Sequence, residues 1–76
     1  MILFPNPTHG EMTVRLHSPY TGYYLVSDVL GQTLVREQVR GKSEFKINVQ
    51  RMNAGVYFLT MISGNGLKTQ SILIKQ

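Results

Sequence analysis

Residues 55–76 read GVYFLTMISGNGLKTQSILIKQ, two apolar runs joined by a short stretch of glycine and asparagine. The first run, GVYFLTMIS over residues 55–63, is apolar at nearly every position and rich in β-branched and aromatic residues, which is typical of a central strand covered on both faces. Asn65-Gly66 favours a type I′ turn, since both central residues of that turn need positive φ. The stretch therefore predicts a β-hairpin whose second strand closes the chain.

Most of the remaining chain alternates apolar and polar residues with the period of half-buried strands. MTVRLH over residues 12–17, TLVREQV over 33–39 and SEFKINVQ over 43–50 show this pattern, and GYYLVSDV begins at Gly22. Residues 2–4 are predicted to add a short edge piece, because the prolines that follow are tolerated at sheet edges and not in central strands. No segment has the period of an amphipathic helix.

Turn signals separate these segments. SPYTG at residues 18–22 is a proline and glycine cluster, and Asp28 and Gly31 suit the first and fourth positions of a type I turn. About seven short strands at spacings of roughly eight to twelve residues, without helices, are typical of a small antiparallel β-sandwich of the immunoglobulin type. We therefore predict an all-β fold in which residues 1–76 form one domain, since a chain of 76 residues has room for one small core.

The composition excludes several classes of protein. The chain has no cysteine, and so neither a disulfide framework nor a thiolate metal site. No stretch approaches the about 20 consecutive apolar residues that a membrane-spanning helix needs. Eight Lys and Arg against four Asp and Glu give a net charge of +4, but the cations form no basic run, and we expect no nucleic-acid partner. Their scatter fits solvent-facing strand positions.

Residue types that carry chemistry are few. His9 and His17 lie eight residues apart without an acid at ligand spacing, so we predict no metal site. Asp28 suits a turn better than a catalytic role. No nucleophile, base and orienting group occur in a recognisable arrangement, and we predict neither an enzyme nor a cofactor.

Four segments, taken in order, resemble the type A C-terminal sorting domain of proteins exported by the type IX secretion system. They are FPNPTHGEMTV, YLVSDVLGQTLV, INVQRMNAGVYFLTMI and KTQSILIKQ, and the resemblance covers essentially the whole chain. The aromatic-Pro-Asn-Pro opening and the order of AGVYF before a terminal basic strand are the distinctive parts. Phe4 stands where the family frequently has tyrosine, and the terminal basic residue, Lys75, is one short of the end.

The resemblance implies a folded secretion signal at the end of a larger exported protein, the passenger. An outer-membrane translocon would deliver the passenger from the periplasm to the cell surface or the extracellular space. A surface sortase would remove the domain, with cleavage upstream of Met1, and couple the passenger to an anionic lipopolysaccharide. The residues implied for recognition by the translocon are Asn53, Ala54, Gly55, Tyr57, Lys68, Ile72, Ile74 and Lys75. The residues implied to be structural are Pro5, Asn6, Pro7, Gly10, Asp28 and Gly31.

Three local expectations accompany this interpretation. Residues 4–8, FPNPT, are expected to form a stiff junction that keeps the passenger linker out of the sheet. Gly55 is expected to adopt a backbone geometry closed to other residues and to set the register of the strand that follows. The free edges of the sheet allow a homodimer in isolation, or the addition of a partner's strand along the last strand.

Two other functions stay open from the residues alone. An accessory β-sandwich of a secreted protein would bind carbohydrate or protein through exposed tyrosines, and burial of Tyr20, Tyr23 and Tyr24 would argue against it. A small enzyme would need a pocket with convergent polar groups.

Overall fold

The computed structural model describes all 76 residues, Met1–Gln76, as five β-strands. The strands are β1 (Ile2–Phe4), β2 (Glu11–Ser27), β3 (Thr33–Asn48), β4 (Gly55–Ser63) and β5 (Lys68–Lys75). All pairs of these strands are antiparallel, so the prediction of an all-β antiparallel fold is confirmed. The structure contains no helix long and apolar enough to span a membrane.

The long strands β2 and β3 each contribute to two parts of the sheet. Residues 13–15 of β2 pair with β1 on one side, and residues 11–15 pair with residues 44–48 of β3 on the other. Residues 22–27 of β2 pair with the start of β3 and with β4, which in turn pairs with β5. We call these parts the three-stranded half and the four-stranded half of the sheet.

The strand count differs from the predicted seven because two predicted breaks are bends inside strands. In β2, the SPYTG segment at residues 18–22 shifts the register, and Pro19, which has no backbone donor, has no pairing partner there. In β3, Gly41 has φ 61°, a conformation that suits glycine, and its amide donates to the Thr21 hydroxyl at 3.1 Å. Bulges of this kind bend a strand without ending it.

The bends fold both halves of the sheet over one core. The buried cluster consists of Met12, Val14, Tyr24, Val26, Val39, Ile47, Val49, Tyr57, Leu59, Met61 and Leu73. Since successive side chains of a strand point to opposite faces, each half also has an outer face. The core is small, so the loss of one buried side chain removes a large share of the free energy of unfolding.

The predicted turn at Asp28 joins β2 to β3. The Gly31 amide donates to the Asp28 carbonyl at 3.1 Å, and Gly31 has φ 84°. The Asp28 Oδ1 atom accepts from the amides of Leu30 and Gln32, both at 2.9 Å. Asp28 is thus a turn residue whose carboxylate is already occupied by backbone donors.

The predicted hairpin between β4 and β5 is present, but the predicted type I′ turn is wrong. Asn65 does not adopt positive φ, whereas Gly66 does, at 87°. The Gly66 amide donates to the Ser63 carbonyl at 2.9 Å. This is the geometry of a three-residue loop that ends in a glycine bulge, the next most common hairpin connection after the two-residue turns.

Candidate functional site

The turn before β4 holds the first three predicted recognition residues, Asn53, Ala54 and Gly55, all of them exposed. Gly55 has φ +155°, a value that residues with side chains rarely adopt. A Cβ at this position would meet only the Tyr57 ring, at 4.0 Å, so the requirement for glycine comes from the backbone and not from lack of space. The expected special geometry of Gly55 is present.

Tyr57 belongs to the core and not to an exposed surface. Its side chain is 8 % exposed, and its hydroxyl donates to the Asn53 carbonyl at 2.6 Å. A tyrosine that bonds back to the chain a few residues upstream fixes a corner of the fold, as in immunoglobulin-like sandwiches. Tyr57 therefore holds the turn against β4 and is not presented to a partner.

β5 presents alternate residues to the core and to solvent. Leu73 is fully buried, while Ile72 and Ile74 are 55 % and 38 % exposed. Lys68 is exposed at the start of the strand, and Lys75 is half-buried at its end, with Nζ donating to the Gln76 carbonyl. The structure brings Ile72 and Ile74 together on one outer face and keeps the two lysines apart.

The segment before β2 lies along the outer edge of β5. Asn6 Nδ2 donates to the Ile72 carbonyl at 3.0 Å, and Asn6 Oδ1 accepts from the Ile74 amide at 3.0 Å. The Thr8 amide donates to the Ile74 carbonyl at 2.9 Å, and the Thr8 carbonyl accepts from the Gln76 amide at 2.8 Å. Three hydrogen bonds therefore join the start of the chain to β5, and a fourth joins it to Gln76, the residue after β5.

We call residues 5–8 the clamp. Its two prolines have no N–H, so its backbone alone cannot continue a ladder, and the Asn6 side chain supplies a donor and an acceptor instead. Thr8 is 1 % exposed and its Oγ1 donates to the Glu11 carbonyl at 2.9 Å, which fixes the clamp to the start of β2. The segment predicted to form a stiff junction is thus itself hydrogen-bonded to the edge of the sheet.

Gly10 and Gly22 also serve the fold. The Gly10 carbonyl accepts from the Val49 amide at 2.7 Å. Gly22, predicted to end a turn cluster and to begin the segment GYYLVSDV, pairs with Val39 on one side and with Ser63 on the other. A glycine within a strand often marks a place where another backbone approaches closely, so the position of Gly22 at the start of a strand segment could have indicated this pairing.

The tyrosines do not share one exposed surface. Tyr24 is buried and its ring stacks on Phe45, with centroids 5.2 Å apart. Tyr23 is half-buried on the opposite face, where the Arg36 guanidinium lies 4.6 Å from its ring centroid. Tyr20 is half-buried as well. This arrangement argues against a carbohydrate-binding platform made of these rings.

Burial changes the titration of two of these tyrosines. Desolvation raises the pKa of the Tyr24 hydroxyl, and the nearby Glu37 carboxylate raises it further. Desolvation also raises the pKa of Tyr20, against a smaller lowering by a hydrogen bond with Ser63. In both tyrosines desolvation favours the neutral phenol, as expected for rings that pack beside a core.

A cleft of about 600 Å³ opens beside the turn before β4. Its lining residues are Asp28, Leu34, Val35, Asn48, Gln50, Arg51, Met52, Asn53 and Tyr57. The Asp28 carboxylate and the Tyr57 hydroxyl already have backbone partners, and the lining contains no serine, histidine or lysine. No group of three or more His, Asp or Glu side chains could hold a metal ion, and His9 and His17 are exposed. That the chain is not an enzyme stays a prediction.

A known protein family matches nearly the whole chain. The model of the secretion system C-terminal sorting domain matches residues 2–75, from the first residue of β1 to the last residue of β5. This family consists of sorting signals and is not an enzymatic family. No curated protein and no solved structure matches the chain. The chain therefore belongs to the family of C-terminal sorting domains of the type IX secretion system.

Proposed function

We propose that residues 1–76 are one folded domain that directs an N-terminal passenger through the outer-membrane translocon of the type IX system. The observation that carries this proposal is the family match, which leaves only one residue unmatched at each end. Type IX cargo reaches the cell surface or the extracellular space. The proposed route adds a stage in the periplasm, where the domain is folded before it meets the translocon.

The proposal includes removal of the domain at the surface. A sortase cleaves upstream of Met1 and anchors the passenger to an anionic lipopolysaccharide. The exposure of the first residues supports a passenger and a cleavage site ahead of the domain. Met1 and Ile2 are 38 % and 58 % exposed at the outer edge of the sheet. A passenger joined there can leave the fold without crossing the core.

Recognition by the translocon is proposed for the C-terminal region from Asn53 onward. The exposed members of the predicted set are available for direct contact: Asn53, Ala54, Gly55, Lys68, Ile72 and Ile74. Tyr57 and Lys75 act through the fold, since Tyr57 holds the turn and Lys75 is half-buried beside the clamp.

Cargo replacement tests the proposal. A periplasmic reporter that the type IX system does not export is joined ahead of residues 1–76 and expressed in a host with the translocon. We expect the reporter at the cell surface, accessible to added protease. The intact mass of the surface form measures removal, since it should lack the 76 residues and carry the anchoring group. A surface form that keeps all 76 residues would contradict the sortase step alone.

A further inference from the structure

The outer face of the terminal hairpin carries a contiguous group of apolar side chains. Val56 pairs with Ile74 and Phe58 pairs with Ile72, so two cross-strand pairs lie side by side. Val56, Ile72 and Ile74 are 43 %, 55 % and 38 % exposed, and Phe58 is half-buried. We call these four residues the apolar patch. Single exposed apolar residues are ordinary on a protein surface, whereas a contiguous group of them marks interaction sites.

Cations share this outer face with the apolar patch. Arg36 pairs with the outward-facing Leu25, and Lys68 pairs with Ile62, which places both cations on the side of the patch. Arg40 lies on the same face, where it donates to the Gln38 side chain at 2.9 Å. No Asp or Glu side chain accompanies them, and none of the three cations forms an ion pair.

The outer face of the three-stranded half has the opposite character. There Arg15 Nε lies 2.8 Å from Glu44 Oε1, and Lys46 Nζ lies 3.7 Å from Glu11 Oε1. The cations of that face are therefore neutralised by neighbouring carboxylates. Three of the six cations that form no ion pair, Arg36, Arg40 and Lys68, lie on the face that also carries the apolar patch.

We propose that the apolar patch docks a protein of the secretion machinery whose surface is apolar at its centre and bordered by carboxylates. The inference rests on the proposed function and names the face and the chemistry by which the signal is read. Burial of the patch would supply most of the affinity, as buried apolar anchors do in protein interfaces. Carboxylates facing Arg36, Arg40 and Lys68 would speed association and fix its orientation.

The clamp favours docking on this face over addition of a strand to the edge of β5. The outward-pointing backbone groups of Ile72, Ile74 and Gln76 are already bonded to Asn6 and Thr8. A partner strand could pair there only after the clamp had left. The side chains of the patch are accessible while the clamp is in place.

A pair of matched substitutions tests the apolar part. Ile72→Thr and Ile2→Thr change residues of similar exposure, 55 % and 58 %, on the two different outer faces. Both keep a β-branched side chain, so both variants should melt near wild type. With the fused reporter, we expect Ile72→Thr to lower the surface fraction about three- to tenfold and Ile2→Thr to leave it unchanged.

A second pair tests the charge. Lys68→Glu reverses a cation on the face of the patch, and Lys42→Glu reverses an exposed cation that lies at the bend between the two halves. We expect the surface fraction to fall for Lys68→Glu and not for Lys42→Glu. Delivery of Ile72→Thr and Lys68→Glu at the level of their controls would overturn the docking inference while leaving the sorting function intact.

Photocrosslinking distinguishes a failure of the proposed sorting function from a failure of the docking inference. A photoreactive phenylalanine analogue is placed at position 72 or at position 2 of the same fusion in the same host. We expect position 72 to give a discrete adduct with a protein of the secretion machinery, identified by mass spectrometry, and Lys68→Glu to weaken it. If the wild-type reporter is not delivered and this adduct still forms, the sorting function is wrong and the docking face stands. Equal adducts at both positions, or none at either, would overturn the docking inference.

Discussion

Gly22 leaves no room for a side chain, because the backbone of β4 lies directly against it. A Cβ there would lie 2.1 Å from the Ile62 carbonyl oxygen and 2.9 Å from the Ser63 Cα. Because both atoms belong to the backbone, no side-chain rotation can make room. We expect Gly22→Ala to lower the free energy of unfolding by at least about 1–3 kcal/mol, measured by thermal or denaturant melting.

Gly64→Ala is the matched control for this substitution. Its Cβ would meet only the Thr21 carbonyl oxygen, at 3.9 Å, and Gly64 does not have positive φ. The control should melt within about 0.5 kcal/mol of wild type. Equal melting of the two alanine variants would show that the strands can separate at Gly22 without cost.

Gly55 is required for a different reason, its backbone conformation. At φ +155° a β-branched residue is strained even though no atom blocks its Cβ. Gly55→Val should lower the free energy of unfolding by about 1–3 kcal/mol and reduce delivery of a fused reporter. A melting temperature equal to wild type would show that Gly55 is an ordinary extended position.

Tyr24 predicts a dependence of stability on alkaline pH. Desolvation, and then Glu37, raise its pKa in the folded state, so the folded protein holds the phenol proton more firmly than the unfolded chain does. This contribution is fully present below pH about 10 and is lost as the pH rises through the folded-state pKa. In denaturant melts at pH values above about 10, the free energy of unfolding of Tyr24→Phe should fall less steeply with pH than that of wild type. Identical slopes in the two proteins would contradict the assignment.

The contribution of the clamp to stability can be measured by removing one side chain. Asn6→Ala removes the hydrogen bonds to the Ile72 carbonyl and the Ile74 amide, each with a net worth of about 0.5–1.5 kcal/mol. We expect a lower melting temperature and faster hydrogen exchange at the Ile74 amide. Gln70→Ala, on the part of β5 that the clamp does not reach, should leave that exchange unchanged. Unchanged exchange in Asn6→Ala would mean that the edge is protected by other groups.

The strands were predictable because their alternation is local. Met12 and Val14 fall on one side of a strand whatever the rest of the chain does, and they form the core as expected. The prediction that β4 is covered on both faces is wrong: Tyr57, Leu59 and Met61 lie in the core, whereas Val56 on the other face is 43 % exposed. The bends at Pro19 and Gly41 were not predictable. Proline and glycine occur both in turns that end a strand and in bulges that only bend it, so their presence does not distinguish the two. The sequence therefore indicated seven segments where the chain has five strands.

The candidate site was predicted less well than the strands. The hydrogen bonds of Asn6 join residues 66 and 68 positions apart, and no local pattern signals a pair at that separation. The resemblance implies a recognition role for Tyr57, but the two-residue period of β4 puts its side chain in the core with Leu59 and Met61. The same period, applied to β5, correctly separates the exposed Ile72 and Ile74 from the buried Leu73.

The molecule as a whole has two unlike outer faces and one edge that is partly covered by the clamp. One face has paired charges, and the other has free cations beside the apolar patch. The clamp occupies the end of the β5 edge, which leaves the outer edge of β3 as the longest unpaired one. Charged side chains along β3 protect that edge against strand pairing. The homodimer expected for the isolated domain stays a prediction.

Whether the folded domain is by itself a sorting signal can be decided by one measurement. It is the surface fraction of an unrelated periplasmic reporter that carries residues 1–76 at its C terminus, compared between a host with the type IX translocon and the same host without it. We predict that the reporter reaches the surface only in the first host, and that Gly64→Ala, which keeps the fold, leaves this result unchanged. A reporter that stays in the periplasm of both hosts, while the isolated domain melts as a folded protein, would show that the folded domain is not by itself a sorting signal.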